Sequence, residues 1–216
     1  GRMVFHDLED HSSGETSVVT ILLSQEINLC YGDYFVIRDQ SASMTLGGGR
    51  ILNPCPPGNK KRESAERETL NLFKFKDIES DILTYIQGLR ASVTIKKLVA
   101  VFNLSEKNLL HLFENNNLTI IKQSEVISEP NLQDLEQRIE AFIRGWQQKK
   151  SGERGVPESH IETGLEDHSL DSISHAIESL IYKKRITRHG NVISLSDYRV
   201  QLSREAKNLW GKISPI

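Results

Sequence analysis

The chain has 216 residues and a formal net charge of -2, which excludes a protein whose whole surface is basic and grips nucleic acid along its length. Hydrophobic residues make up 38% and charged residues 26% of the sequence, as in an ordinary soluble protein, and no run of about 18 apolar residues exists that would cross a membrane. Because the chain is not basic overall, any contact with RNA or DNA must be local. The length predicts one large domain or two to three small ones.

The first 56 residues are expected to form a β domain. Short runs of β-branched and aromatic residues at 17–23 and 34–37 are separated by Asp, Ser, Gly and Asn clusters, which is the pattern of strands joined by turns. Three glycines at 47–49 allow the backbone to pack closely before a last short strand at 50–52. The prolines that follow end regular structure, because proline has no N–H for a sheet. An antiparallel barrel or sandwich is predicted.

In the next region the hydrophobic period becomes helical. Apolar residues recur at helical spacing over 78–89, and Thr94 and Ser105 are placed to cap two further short helices. Two strand-like runs then flank a turn near Gln123. The order of three helices and a hairpin is that of a winged helix, which we predict over residues 57–130.

The same order recurs in the following region and predicts a second winged helix over residues 131–200. One apolar stripe runs along 132–146, Ser169 is placed to cap a later helix, and Gly190 with the next Asn separates two strand-like runs. Residues 201–216 begin another helix and stop before anything packs on it. We expect them to be the start of a further, truncated module.

No catalytic, metal or cofactor site is predicted in this chain. The pattern Gly-x-x-x-x-Gly-Lys-Ser/Thr that holds nucleotide phosphates is absent. The seven histidines show no zinc spacing. Cys30 and Cys55 stand in no metal or redox spacing, which favours a reducing cytoplasm over disulfides. The N-terminus has no apolar core of a signal peptide and starts as if cut from something longer.

The strongest local signal for binding is a basic cluster near the end of the second predicted recognition helix. Winged helices commonly meet nucleic-acid phosphates at this position, but a helix C-terminus also favours cations through its dipole. Both explanations remain open for the candidate phosphate contacts Lys183, Lys184, Arg185 and Arg188.

A resemblance to a known family begins at Gly32 and ends at Pro54. This stretch carries, in order, Gly-Asp, Arg-Asp, Thr-Leu-Gly-Gly-Gly and Arg-Ile-Leu-Asn-Pro, and it resembles the end of domain III in the selenocysteine-specific elongation factors, the SelB family. Elongation factor Tu has a shorter, related segment. In SelB the barrel leads through a proline-containing linker into an array of winged helices. One departure is Met44, where the family often has Arg.

The resemblance implies a multidomain α and β fold: an antiparallel β-barrel like elongation-factor domain III over residues 1–56, then two tandem winged-helix domains. The intact family delivers selenocysteinyl-tRNA to the ribosome at recoded UGA codons, using GTP and Mg²⁺. The GTPase domain is not in this chain, so the resemblance implies a non-catalytic region that contacts tRNA and acts as a spacer or RNA-docking arm. The grip on the mRNA hairpin is expected to lie outside it. By position, the candidate tRNA contacts are Arg38, Ser43, Thr45 and Arg50.

The alternative is a winged-helix transcriptional regulator whose β domain senses a ligand or forms a dimer. A DNA reader normally presents a basic recognition helix. The first module's candidate helix carries Glu106 and Glu114 against Lys107 alone, which favours the translation factor. Direct RNA contact by either winged helix, the oligomeric state and the ribosomal contacts are left open.

Overall fold

The computed structural model describes residues 1–5, 14–55, 66–73 and 75–200. They form a mixed α/β fold with small sheets. In chain order the elements are β1 Arg2–Val4, β2 Thr20–Leu22, β3 Tyr34–Arg38, β4 Thr45–Arg50, α1 Ile78–Gly88, β5 Val93–Thr94, α2 Ile95–Phe102, α3 Glu106–Asn115, β6 Thr119–Ile121, β7 Glu125–Ile127, α4 Glu129–Lys149, β8 Val156–Pro157, α5 Glu158–Gly164, α6 Leu170–Tyr182, β9 Ile186–His189 and β10 Val192–Leu195.

The chain divides into two compact units, Gly1–Leu118 and Thr119–Ile216. The predicted domain limits at 56, 130 and 200 follow sequence patterns rather than contacts, and they stay a prediction. Both helical regions show the element order that we expected, with three helices followed by a hairpin in the chain. The winged-helix assignment itself also stays a prediction. The truncated module predicted over 201–216 lies outside the described residues.

The antiparallel β-barrel predicted for residues 1–56 is not closed by the described strands. β1 pairs only with β2, and β3 only with β4, as two separate antiparallel ribbons. A barrel needs a continuous ring of paired strands, and β1 and β2 are only three residues long. On β3, the Tyr34 and Val36 side chains are 74% and 67% exposed. The described part of the chain therefore leaves one face of this ribbon open.

The sequence predicts that the three consecutive glycines precede a last strand. In the structure they lie inside β4. Phe35 of β3 is the cross-strand partner of Gly49. A Cβ at Gly49 would lie 2.9 Å from the Phe35 ring, and a Cβ at Gly48 would lie 2.6 Å from the Phe35 carbonyl oxygen. Nothing lies within 4 Å of a Cβ at Gly47. The glycines thus allow Phe35 to pack directly on β4.

We expect Gly48→Ala to lower the free energy of unfolding by about 1–3 kcal/mol, because a backbone carbonyl would have to move to admit the methyl group. Gly47→Ala adds the same methyl group to open space and should change stability by less than about 0.5 kcal/mol. Urea unfolding of the two variants provides the comparison. Equal losses would show that Phe35 does not set the requirement for glycine.

The helices of unit Gly1–Leu118 begin at polar residues that accept from the first turn. Asp77 accepts from the Ser80 N–H at 2.6 Å and so starts α1. Thr94 and Ser105, both predicted caps, start α2 and α3 in the same way. Such bonds satisfy N–H groups that have no partner inside the helix.

Five aromatic rings join the β region to the helices within this unit: Tyr31, Phe73, Phe75, Tyr85 and Phe102. The Tyr31 and Phe102 ring centroids lie 5.0 Å apart, and those of Tyr85 and Phe102 lie 5.6 Å apart. The Tyr31 hydroxyl donates to the buried carboxylate of Asp81. Burial and this bond raise the pKa of Tyr31. The cluster packs against α1 and α2 through Tyr85 and Phe102.

The core of unit Thr119–Ile216 includes the β6–β7 hairpin. Ile121 and Ile127 are buried in the same cluster as apolar residues of α4, α5 and α6. Lys122 lies 2.6 Å from Asp171, and the Ser169 hydroxyl donates to Glu125 at 2.6 Å. Both contacts reach the start of α6. The β6–β7 hairpin therefore shares its core with α4, α5 and α6.

Further along unit Thr119–Ile216, β10 lies between β8 and β9 in an antiparallel sheet. Ser169 caps α6 by accepting from the Ser172 N–H at 3.0 Å, as predicted. Pro130 lies in the first turn of α4, where its missing N–H costs nothing because no partner is available there.

His168 is buried in this unit beside three charged groups. Its Nε2 lies 2.7 Å from the Arg138 guanidinium, which can only donate, so the neutral ring accepts there and carries its proton on Nδ1. Nδ1 is buried without a partner. Burial, aided by Arg138 and opposed by Asp167 and Asp134, lowers the pKa of His168. The folded protein therefore resists protonation of this ring.

We expect the free energy of unfolding to fall as the pH drops below the ordinary histidine pKa of about 6.5, because the unfolded chain then takes up a proton that the folded chain refuses. The stability is fully present above that pH. His168→Asn should remove most of this dependence, whereas the exposed His189→Asn should keep it. Urea midpoints measured between about pH 7 and pH 5 provide the check. An unchanged slope in His168→Asn would refute it.

Candidate nucleic-acid contact sites

The β3–β4 hairpin holds the four candidate tRNA contacts, and its register separates them into two groups. Arg38 pairs with Thr45 next to the turn, and Tyr34 pairs with Arg50 at the far end. Thr45 and Arg50 are five residues apart, which at roughly 3.3 Å per residue is about 16 Å. Ser43 lies in the turn itself. The structure therefore brings Arg38, Ser43 and Thr45 together and places Arg50 elsewhere.

The turn at the tip is organised by the carboxylate of Asp39. It accepts from the Met44 N–H at 2.8 Å, from the Ser43 hydroxyl at 3.0 Å and from the Ser41 hydroxyl. The bond from Met44, followed by the serine bonds, lowers the pKa of Asp39 to about 2. Ala42 has a positive φ of 54° within this turn. The Ser43 hydroxyl thus donates its hydrogen bond within the turn. The residue itself is exposed at the tip.

Arg38 and Thr45 are exposed beside this turn. The Arg38 guanidinium lies 3.5 Å from the Ala42 carbonyl oxygen, at the limit of a hydrogen bond. It is the side chain at the tip that is best placed to meet an anion. Thr45 adds a hydroxyl on the same face.

Arg50 is held by aromatic rings. Its guanidinium lies 4.4 Å from the centre of the Tyr34 ring and 5.0 Å from that of Phe75. Stacking of this kind stabilises the cation at an exposed site by about 0.5–1 kcal/mol. Arg50 therefore has a structural role between the hairpin and the segment before α1, and a contact with tRNA would be additional.

The basic cluster after α6 is largely neutralised by carboxylates of the same unit. Lys183 lies 2.7 Å from the buried carboxylate of Glu136. The other two pairs are Arg185 with Glu140 at 2.5 Å and Arg188 with Glu158 at 2.6 Å. Within the described residues, Lys184 is the member of the cluster that has no ion pair. A phosphate contact by the other three would require these pairs to open.

Sequence reasoning missed the partners of this cluster. Glu136 and Glu140 lie one turn apart on α4, and Glu136 also accepts from the Ser179 hydroxyl at 2.6 Å. Two carboxylates at i and i+4 on a helix with a long apolar stripe were the available signal, but the sequence does not say which cations they meet. The arrangement fixes the end of α6 against α4.

No group of three or more metal-ligating side chains is placed to hold a metal ion in the described part of the chain. Among the same residues, no helix is long and apolar enough to span a membrane. Cys30 and Cys55 are free thiols.

Residues 4–58 match the family described as the beta-barrel domain of the selenocysteine-specific elongation factor. This segment is thus similar to a domain of the SelB family. A selenocysteine-specific elongation factor from Desulfomicrobium baculatum is 29% identical over 108 residues, which cover 49% of this chain and 17% of that relative. The chain thus spans less than a fifth of the length of this relative.

The crystal structure of the bacterial selenocysteine-specific elongation factor EF-Sec superposes on this chain with a TM-score of 0.51 and 15% identity. The match covers 80% of this chain and 27% of that one. At this identity the likeness shows the fold alone. The segment that matches the family, residues 4–58, contains the β3–β4 hairpin with all four candidate tRNA contacts.

Proposed function

We propose that this chain is a non-catalytic region of a selenocysteine-specific translation elongation factor that acts in the cytoplasm. In this proposal the β3–β4 hairpin contacts selenocysteinyl-tRNA, and the two helical regions fold as winged helices that serve as spacer and RNA-docking arm at the ribosome. The observation that carries it is the family match of residues 4–58, because the hairpin tip with Arg38 and Thr45 lies inside the matched segment.

GTP and Mg²⁺ would be held by another part of the intact factor, and the mRNA hairpin would be gripped outside this chain. No nucleotide phosphate loop is encoded in the sequence. The exposed Arg38 guanidinium and Thr45 hydroxyl suit a tRNA phosphate and a ribose 2′-OH.

The regulator alternative receives no support from the helices that would read DNA. α6 carries Asp171 and Glu178 and no Lys or Arg over Leu170–Tyr182. α3 likewise carries Glu106 and Glu114 against one Lys. A recognition helix of this charge would be repelled by phosphates.

The test is binding of the full chain to a minihelix with the acceptor and T arms of selenocysteine tRNA. We expect the combined variant Arg38→Gln and Thr45→Val to bind several-fold more weakly and to lower the salt slope by about 0.9, the value for one phosphate contact on a duplex. Arg90→Gln, an exposed arginine of the same unit outside the hairpin, is the matched control and should bind unchanged.

Two results would contradict the proposal. One is equal binding of the minihelix by the hairpin variant and the wild type. The other is stoichiometric binding of GTP by the chain in calorimetry, which would show a nucleotide site that the sequence does not encode.

A further inference from the structure

A groove lies in the unit Thr119–Ile216, between the last turns of α4 and the segment after β10. It consists of a hollow of about 610 Å³ and a neighbouring one of about 290 Å³. Both hollows are lined by Arg144, Leu195 and Asp197, so they are continuous. None of its described lining residues belongs to the β3–β4 hairpin.

The lining of this groove is positively charged. Among the residues that the structure describes, its charged side chains are Arg144, Lys184, Arg185, Arg199, Glu140 and Asp197. Arg185 and Glu140 neutralise each other in an ion pair. In the described part of the chain, no carboxylate forms an ion pair with Arg144, Lys184 or Arg199. Three unpaired cations against one carboxylate leave the groove ready to accept anions.

The side chain of Gln147 supplies a second, independent sign of a ligand. It lies in the lining of the larger hollow, is only 4% exposed, and neither its amide nitrogen nor its amide oxygen has a hydrogen-bond partner. Buried polar groups are nearly always paired, since an unpaired one destabilises the fold. Both amide atoms are buried, so a ligand with a donor and an acceptor would satisfy the amide once the Gln147 side chain turns toward the hollow.

The position of the groove fits the distribution of charge around α6. The helix itself carries carboxylates and no Lys or Arg. Lys184 follows its end and faces the groove rather than a carboxylate. An extended polyanion would therefore meet this unit beyond the C-terminus of α6, and not along the helix as in a DNA reader.

We propose that this groove binds a short stretch of RNA backbone. Arg144, Lys184 and Arg199 contact successive phosphates. The buried Gln147 amide turns toward the hollow on binding and pairs with a ribose 2′-OH, which both donates and accepts. The inference deepens the docking part of the proposed function by giving it a site and a ligand class. The inference rests on the proposed function for the identity of the RNA, but its test does not depend on that function.

The test is fluorescence anisotropy of the full chain with a labelled single-stranded oligouridine of about 12 nucleotides and with the matching deoxyuridine strand, over a salt series. We expect the triple variant Arg144→Gln, Lys184→Gln, Arg199→Gln to bind RNA at least about tenfold more weakly and to flatten the salt slope by about 2, at roughly 0.7 per phosphate on a single strand. The matched control replaces Lys76, Lys96 and Lys107, three exposed lysines of the other unit, by Gln; it should keep the wild-type affinity.

Two single variants separate this site from general electrostatics. Gln147→Leu should raise the melting temperature, because it removes a buried amide without a partner, and at the same time abolish the preference for RNA over DNA. Asp197→Asn should strengthen binding by removing the carboxylate that opposes the phosphates.

Three results would overturn the proposal: an unchanged affinity of the triple variant, an equal loss in the lysine control, or displacement of the RNA by polyglutamate as readily as by unlabelled RNA. The last result would assign the groove to an acidic peptide. None of them affects the binding of the tRNA minihelix through Arg38, so failure here and failure of the proposed function are distinguishable.

Discussion

Ile127→Ala is expected to lower the free energy of unfolding of the unit Thr119–Ile216 by about 2–5 kcal/mol, the range for truncating a buried isoleucine or leucine to alanine. Ile127 is fully buried and belongs to the core cluster of this unit. Hydrogen exchange of the full chain, read by mass spectrometry on separate peptides, resolves where the loss occurs. We expect faster exchange in α4 and α6.

The matched control is Ile120→Ala in the same hairpin. Ile120 is only half-buried and lies in the strand next to the turn, so the loss should be about 1 kcal/mol or less. If Ile127→Ala accelerated exchange in α1 to α3 and left α4 and α6 unchanged, the hairpin would belong to the first three helices energetically.

Phe102→Ala should destabilise the unit Gly1–Leu118 by about 3–5 kcal/mol, the cost of removing a buried phenylalanine ring. The ring of Phe102 packs on Tyr31, Phe73 and Tyr85 with centroids 5.0 to 6.2 Å away. Because Tyr31 precedes β3 and the other rings lie in the helical region, exchange should increase in β3 as well as in α1.

Phe113→Ala is the control for this second prediction. Phe113 is equally buried but forms no aromatic pair among the described residues. Its loss should be of similar size and should leave exchange in β3 unchanged. Equal exchange patterns in the two variants would show that the aromatic cluster does not couple the β region to the helices.

The parts of the fold that depend on neighbouring residues could be predicted from the sequence. Thr94, Ser105 and Ser169 each accept from an N–H three residues later, so a cap and its partner are visible in one short window. The same holds for the hairpin around Gly190, which joins two adjacent strands.

Contacts between distant residues could not be predicted. The basic cluster after α6 stands out in the sequence, but its partners Glu136 and Glu140 lie more than forty residues earlier. The sequence around the cluster does not indicate that Lys183 forms an ion pair and that Lys184 forms none among the described residues. The glycines of β4 stand out in the sequence as well. The reason for Gly48 and Gly49 is the carbonyl oxygen and the ring of Phe35 on the opposite strand, and this depends on strand register.

The candidate tRNA contacts were likewise predictable in part. The family resemblance located the hairpin and its four polar side chains, but not their separation into a tip and a far end. That separation follows from the pairing of Arg38 with Thr45 and of Tyr34 with Arg50. Of the groove beside Gln147, the sequence indicated Lys184 and Arg185. It did not indicate the Gln147 amide, because an unpaired buried amide is a property of packing.

The Asp39 turn has a consequence for the speed and selectivity of any encounter at the hairpin tip. With its pKa near 2, the carboxylate remains ionised and keeps its three bonds at every pH at which a cell lives. The tip is then already ordered before a partner arrives, so little conformational entropy is lost on contact. The same fixed negative charge sits beside Arg38 and weakens long-range attraction of a polyanion. Recognition at the tip should therefore depend on the fit of a rigid shape, and association there should be slower and less sensitive to salt than in the groove near Gln147.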